Sequence, residues 1–392
     1  MIDLVDPGLF ARGEQHAAFR QLRRETPIFW HPLRGGGFWA ILRHRDVVAV
    51  ARDPATFTSS RGTGVRTGRQ AAELQLNESD APVHAQLRRL VGVDFTPRQI
   101  GTLEPYVRTV VRRSLADLRK RRFCDFAEDF GAPLAFAVLA KLVGIPSSDW
   151  ATVAAATRCL NGVEDPAFRG PDETAVVAYE RAASELARYL DSFILRVRDG
   201  VGARIAALEG TSIGDYQISR DDVAALLRLV LEAGHETTSN AIAAGVLALA
   251  EHPKELARLR ANVELVPLAV EEIIRFTSPI IRFGRRVTQD VELAGTLLRA
   301  GDQVVMFFAS ANRDEDVFVD PDRFDVGRTP NDHVGFGAGP HFCLGAPLAR
   351  LQLRVVLEEL LASSVELRVA GPVIRLGSTL NSGLRHFPLS LQ

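Results

Sequence analysis

Long apolar runs are missing from this sequence of 392 residues. No stretch of about eighteen uninterrupted apolar residues occurs, and a helical membrane span needs roughly that many. Cysteine is scarce. Cys124, Cys159 and Cys343 are odd in number and widely spaced, which does not fit a disulfide framework and points to a reducing setting. Neither sign of charge dominates: the formal net charge of -1 predicts no polyanion-binding face over the whole molecule, so nucleic acid is not an expected partner. The opening segment MIDLVDPGLFARGEQHAAFR carries acids and a proline where a signal peptide would need continuous apolar sequence. No internal repeat or low-complexity linker interrupts the chain. These absences predict a cytoplasmic globular protein without a membrane anchor. A monomer is expected.

What is present reads as mainly α with a smaller β portion. The segment PIFWHPLRGGGFWAIL (27–42) sets aromatic and β-branched residues around a triple-glycine turn, which predicts a hairpin. From about Ala81 to Ala250 most segments read as helices. GIPSSD (144–149) and NGVEDPAFRGPDE (161–173) punctuate them, the second as an exposed, mobile connection. The longest helical candidate runs from Ser219 to Ala250, with Ser219 as N-cap and Asp221 and Asp222 in its first turn. It is long and apolar enough to lie buried at the centre. After Pro279 short β-like runs are broken by Ala-Gly turns, and one more helix follows at about 344–363 before short strands.

Cys343 lies in FGAGPHFCLG (336–345), directly before that last helix. A thiolate is a strong soft-metal ligand. Zinc would call for paired ligand spacing, and no CxxC or HxxxH accompanies it. A redox pair needs a second nearby cysteine, and His341 is too close along the chain to serve as the base of a nucleophile. The role that needs one cysteine is axial ligand to a heme iron. Gly337, Gly339 and Gly345 would let the backbone lie close to a flat ring and aim N–H groups at the sulfur, with Phe336 packed beside it. The helix that follows would direct its N-terminal dipole at the thiolate.

At these residues the sequence resembles the cytochrome P-450 heme-thiolate monooxygenases of the soluble bacterial type, whose ligand loop reads F-x-x-G-x-H-x-C-x-G. Phe336, Gly339, His341, Cys343 and Gly345 fill it. Ala233-Gly234-His235-Glu236-Thr237 looks like the family's oxygen-activating A-G-x-[DE]-T. A small residue and a glycine would let this helix pass over a ring. Thr237 can bond a neighbouring carbonyl, and the acid beside the alcohol can relay protons. Glu272 and Arg275 fit the ExxR pair, with Arg323 of Pro321-Asp322-Arg323-Phe324 as third, structural member. His84 and Arg88 match H-x-x-x-R on the helix beside the heme; Arg285, five residues before Asp290, and His341 match two further propionate partners. One departure is local: the usual D-P-P-E-H reads Asp80-Ala81-Pro82-Val83-His84.

The resemblance covers about residues 17 to 390 and implies one domain over 1–392, in which a long central helix crosses a heme b and short sheets lie at the periphery. It implies insertion of one oxygen atom of dioxygen into a small organic substrate, by hydroxylation or epoxidation. Electrons would come ultimately from NAD(P)H through a separate ferredoxin reductase and ferredoxin. An acidic ferredoxin face would dock on the cysteine side, where Arg88 or Arg89, Arg98, Arg350 and Arg354 form an expected basic patch. A peroxide-driven or oxidatively rearranging enzyme, or a non-catalytic heme protein, is the alternative; the acid–alcohol pair counts against both. Expected substrate contacts are Leu229, Glu232, Ala233, Ile281, Leu380 and Asn381, with the variable segments near 60–77 and 157–172. Glu232 is one turn before Glu236. It either faces the distal pocket, where it binds a polar or cationic substrate group or extends the proton relay, or pairs with a neighbouring arginine. The substrate itself could be polar or carrier-bound.

Overall fold

The computed structural model describes residues 2–65, 74–121, 123–363 and 365–391. Part of the variable segment at 60–77, residues 66–73, lies outside the described residues. The principal helices are α1 (Val83–Gly92), α2 (Glu104–Arg121), α3 (Ala132–Val143), α4 (Trp150–Gly162), α5 (Ala175–Arg196), α6 (Arg220–Glu251), α7 (Val266–Thr277) and α8 (Ala346–Ala362). A five-stranded sheet is built from β1 (Ile28–Leu33), β2 (Gly36–Ile41), β3 (Phe57–Thr58), β4 (Arg282–Val287) and β5 (Gln303–Phe307). Its spatial order is β1-β2-β5-β4-β3. The expected hairpin is β1–β2, with Trp30 opposite Trp39.

The long helix α6 begins as its sequence predicts. The Ser219 hydroxyl accepts from the Asp222 amide at 3.2 Å, and the Asp222 carboxylate accepts from the Ser219 amide at 2.8 Å. This reciprocal capping satisfies two amide donors that the helix start would leave unpaired. From Leu231 to Leu249 the helix is mostly buried, packed between α3, α4 and α7. Two glycines set how near those neighbours come. A Cβ on Gly245 would lie 2.7 Å from Ile273 of α7, and one on Gly234 would lie 2.8 Å from Leu139 of α3. The main hydrophobic core surrounds this helix, and two smaller clusters cover the faces of the β1–β5 sheet. Each fully buried aliphatic side chain in these clusters contributes roughly 1.5–3 kcal/mol.

The connection at 161–173 differs from its expectation of an exposed, mobile loop. Asp165 is buried; its carboxylate accepts from Arg385 and from the amides of Ala167 and Gly377. Glu164 accepts from the Ser378 hydroxyl and from both the amide and hydroxyl of Thr379. Two acids thus pin the end of α4 to the 377–385 segment, an attachment that polar composition alone does not reveal. Among the described residues no helix is long and apolar enough to cross a membrane.

Candidate active site

The loop 336–345 closes on itself before α8 begins. The Cys343 amide donates to the Phe336 carbonyl at 2.8 Å, and Gly337 and Gly339 adopt positive φ of 74° and 67°. Gly339 is required for a reason other than nearness to a flat ring: a Cβ there would meet the Ala51 carbonyl oxygen at 2.4 Å. Cys343 is exposed, yet burial is the largest influence on its thiol and raises its pKa. Both observations hold when a side chain faces an interior cradle instead of the outer surface. Opposing the burial, the Gly345 and Ala346 amides and the Arg88 and Arg350 guanidiniums favour the thiolate. The Arg350 guanidinium also lies 4.6 Å above the Phe336 ring, while Glu271 holds it through two bonds of 2.7 and 2.8 Å.

Beside this loop four basic side chains converge from three distant parts of the chain. The rings of His84 and His341 have centroids 4.1 Å apart, and His341 Nε2 is 3.1 Å from the Ser59 hydroxyl. Arg88 donates to the Phe342 carbonyl at 2.6 Å. Arg285 is buried, and its only hydrogen bond among the described residues reaches the adjacent Gly284 carbonyl at 2.7 Å. Burial pulls the Arg285 pKa down to about 10. Burial, then Arg285 and His84, pulls that of His341 down to about 3. His84 Nε2 is buried without a partner. Buried cations and orphaned donors are costly unless an anion meets them. This cluster therefore fits a ligand that brings carboxylates.

Within α6, Ala233 is exposed although Leu231, His235 and Glu236 are buried, so this face of the helix also opens onto interior space. Thr237, one turn on, donates to the Ala233 carbonyl at 2.7 Å. The Glu236 carboxyl is buried with Oε1 lacking a hydrogen-bond partner; Arg158 Nε stands 3.5 Å away. Desolvation raises the Glu236 pKa to about 7 against the opposing pull of Arg158. Arg158 is itself held by Glu128 and lines a cavity of about 360 Å³ with Cys159, Phe168 and Arg385. His235 is a packing residue: its Nε2 donates to the Ala132 carbonyl, which leaves Nδ1 to accept from Thr157. Gly234 differs from its expected role over the ring, since the space it saves is filled by Leu139.

The ExxR pair is present, but its third member is not Arg323. Glu272 and Arg275 are fully buried and joined at 2.7 and 2.8 Å. The second cation on Glu272 is Arg328, with its Nε 3.1 Å from Oε2. The Arg323 side chain is 59% exposed, and what this residue contributes is its carbonyl, which accepts from both Arg275 and Arg328. Nothing in PDRFDVGR distinguishes the two arginines in advance, because the choice depends on how the segment turns.

The expected substrate positions are gathered unevenly. Asn161, missed as an individual residue, donates through Nδ2 to the Glu232 carbonyl and accepts on its own carbonyl from Asn381. Leu380 accepts from the Ile281 amide at 2.8 Å. The Ile281 side chain itself is 1% exposed and packs with Phe10, Phe19 and Phe307, so it is a core residue. Leu229 is partly buried against the main core. Of the two readings of Glu232, the ion pair is the one formed: Arg228 donates to it at 2.5 Å and also reaches the Tyr179 hydroxyl at 2.6 Å. The basic patch is smaller than expected. Arg350 pairs with Glu271 and Arg354 with Glu104 and Glu358, whereas Arg89 and Arg98 are exposed and make no ion pair among the described residues.

A lone accessible thiol flanked by backbone amides, a cluster of bases centred on buried His84 and Arg285 and an open stretch of a central helix together suit an iron porphyrin, and define a heme-thiolate protein. The chain belongs to the cytochrome P450 family. Residues 195–364 match the family described as Cytochrome P450. Over 410 aligned residues the chain is 37% identical to cytochrome P450 126 of Mycobacterium tuberculosis, covering 100% of this chain and 97% of that protein. Linalool 8-monooxygenase of Pseudomonas putida is 33% identical over 404 residues, covering 99% and 98%. A Mycobacterium marinum cytochrome P450 solved in complex with pseudoionone superposes with a TM-score of 0.91 at 33% identity, covering 100% and 98%. The protein is therefore an oxidoreductase, a P450 monooxygenase, with heme iron and dioxygen as the family's requirements.

Proposed function

We propose that the enzyme inserts one oxygen atom of dioxygen into a small, branched, mostly apolar substrate, by hydroxylation or epoxidation. The relatives that act on linalool or bind pseudoionone support that substrate class. One domain spanning residues 1–392 would carry the whole site, in the cytoplasm. Electrons would pass from NAD(P)H through a ferredoxin reductase to a ferredoxin whose acidic face meets Arg89 and Arg98. When bound, the heme supplies the dioxygen chemistry. Cys343 would hold its iron through the thiolate, and His84, Arg88, Arg285 and His341 would hold its propionates.

The observation that carries the monooxygenase reading is the Glu236–Thr237 pair. Glu236 has a pKa of about 7 and an unpartnered oxygen, so it can both take and give a proton at neutral pH. Arg158, 3.5 Å from Glu236, also lines the cavity beside Glu128. The Thr237 hydroxyl, which donates to the Ala233 carbonyl, is free to exchange that local bond for another acceptor. A purely peroxide-driven enzyme or a heme sensor has no use for this arrangement. Turnover under labelled dioxygen with ferredoxin, reductase and NADPH tests it: label in the product is expected, and the absence of labelled product where peroxide does give product would overturn it.

A further inference from the structure

Arg282 opens β4 and is only 6% exposed, yet no carboxylate lies within ion-pairing distance of it among the described residues. Its one hydrogen bond there uses Nη2, which donates to the Thr379 hydroxyl at 2.5 Å. Nε is buried and has no partner. The countercharge is one hydroxyl away, because Thr379 in turn donates to Glu164 at 2.9 Å. Glu164 is already engaged by the Ser378 hydroxyl and the Thr379 amide. Burial still dominates, and it draws the Arg282 pKa down to about 10 against the influence of Glu164. The guanidinium thus keeps an unsatisfied donor edge and an undercompensated charge, which a folded protein retains only where something meets it.

Its surroundings say what that is. Ile280 bridges Asn381, the Ile281 amide donates to the Leu380 carbonyl, and Asn381 is tied through Asn161 to the Glu232 turn of α6. The Gly284 amide, two residues along β4, donates to the Thr63 carbonyl. Arg282 therefore sits against the 378–381 turn, which Asn381 and Asn161 connect to the Glu232 turn of α6. A planar guanidinium fork matches the spacing of a carboxylate with two parallel N–H bonds. We propose that Arg282 is a substrate-binding residue that receives a carboxylate, so that the preferred substrates are branched apolar skeletons ending in a carboxyl group. This rests on the monooxygenase reading above and narrows its substrate.

The test compares citronellic acid and dodecanoic acid with their methyl esters as ligands of the heme-loaded protein. Binding is followed by the ligand-induced spin shift and, separately, by thermal stabilisation. The wild type is expected to bind at least one acid about tenfold more tightly than its ester. Arg282→Met should bring that ratio near one with ester affinity unchanged, and Arg282→Lys should keep part of the preference. Equal binding of acid and ester by the wild type, no saturable binding of either acid, or an undiminished preference in Arg282→Met would each overturn the proposal. If Arg282→Met does not fold, an undiminished preference in Arg282→Lys does the same, because lysine lacks the fork. The reduced, carbon-monoxide-bound spectrum is recorded for every variant; loss of the thiolate band in the wild type would instead remove the heme-thiolate reading.

Discussion

Glu236 Oε1 stands 3.5 Å from Arg158 Nε, and neither atom has a hydrogen-bond partner. The guanidinium is turned toward Glu128, which takes two of its hydrogen bonds, so the inner carboxyl is left underpaired. Desolvation, only partly opposed by Arg158, raises its pKa to about 7 from an ordinary 4.5. A raised acid costs stability when the pH is high enough to ionise it. Below about 4.5 both folded and unfolded states hold the proton, and nothing is lost. Between 4.5 and about 7 the folded state holds more protons than the unfolded one, so stability falls as pH rises, and above about 7 the loss is constant. Glu236→Gln should therefore stabilise the protein by on the order of 3 kcal/mol at pH 8 and by almost nothing near pH 4.5. Urea unfolding at both pH values checks this; an equal offset at the two would contradict it.

The clamp on Glu272 makes a sharper comparison. Arg328→Ala strips a buried cation from a carboxylate that is fully enclosed and should cost about 3–5 kcal/mol. Arg323→Ala removes an exposed side chain and leaves its carbonyl in place, so the change should stay within about 0.5 kcal/mol. Chemical denaturation of the two variants side by side decides which arginine completes the trio.

These two cases show what the sequence could and could not convey. The capping box of α6, the β1–β2 hairpin and the cysteine loop are local, and local signals carry them: a side chain three residues from its partner, a glycine turn, a fixed motif. The convergence of His84, Arg285 and His341 was legible only because each belongs to a motif of known meaning. Arg328 over Arg323, Leu139 filling the space at Gly234 and the Glu232–Arg228 pair depend on how distant segments turn and pack. No spacing encodes them. The same holds for Asn161 and Glu164, polar residues of a segment that looks like a loose connection and is pinned at both acids.

His84 offers a test that separates holding the cofactor from holding the fold. Its Nε2 is buried and unpartnered in the protein alone, so His84→Phe should leave the heme-free protein as stable as the wild type or slightly more so. With heme bound the variant loses a donor to a propionate, and transfer of heme to an acceptor globin should quicken by about tenfold. Destabilisation of the heme-free protein together with unchanged heme transfer would contradict the assignment.

On the cysteine side, exposed Arg89 and Arg98 are free of ion pairs among the described residues, whereas Arg354 is held by Glu104 and Glu358. Charge reversal at 89 and 98 should weaken ferredoxin binding several-fold at low salt, with the difference shrinking as ionic strength rises. Arg354→Gln should lower stability and leave ferredoxin affinity unchanged. Titration of ferredoxin across a salt series distinguishes the two sites.

On the proposed function, Cys343 would ligate heme iron through its thiolate. The most direct measurement is the absorption spectrum of the reduced protein under carbon monoxide, for the wild type and for Cys343→His. A strongly red-shifted Soret band in the wild type, moved to the histidine-ligated position in the variant, is the predicted result. A histidine-like band in the wild type, or a red-shifted band that survives the loss of Cys343, would contradict the account.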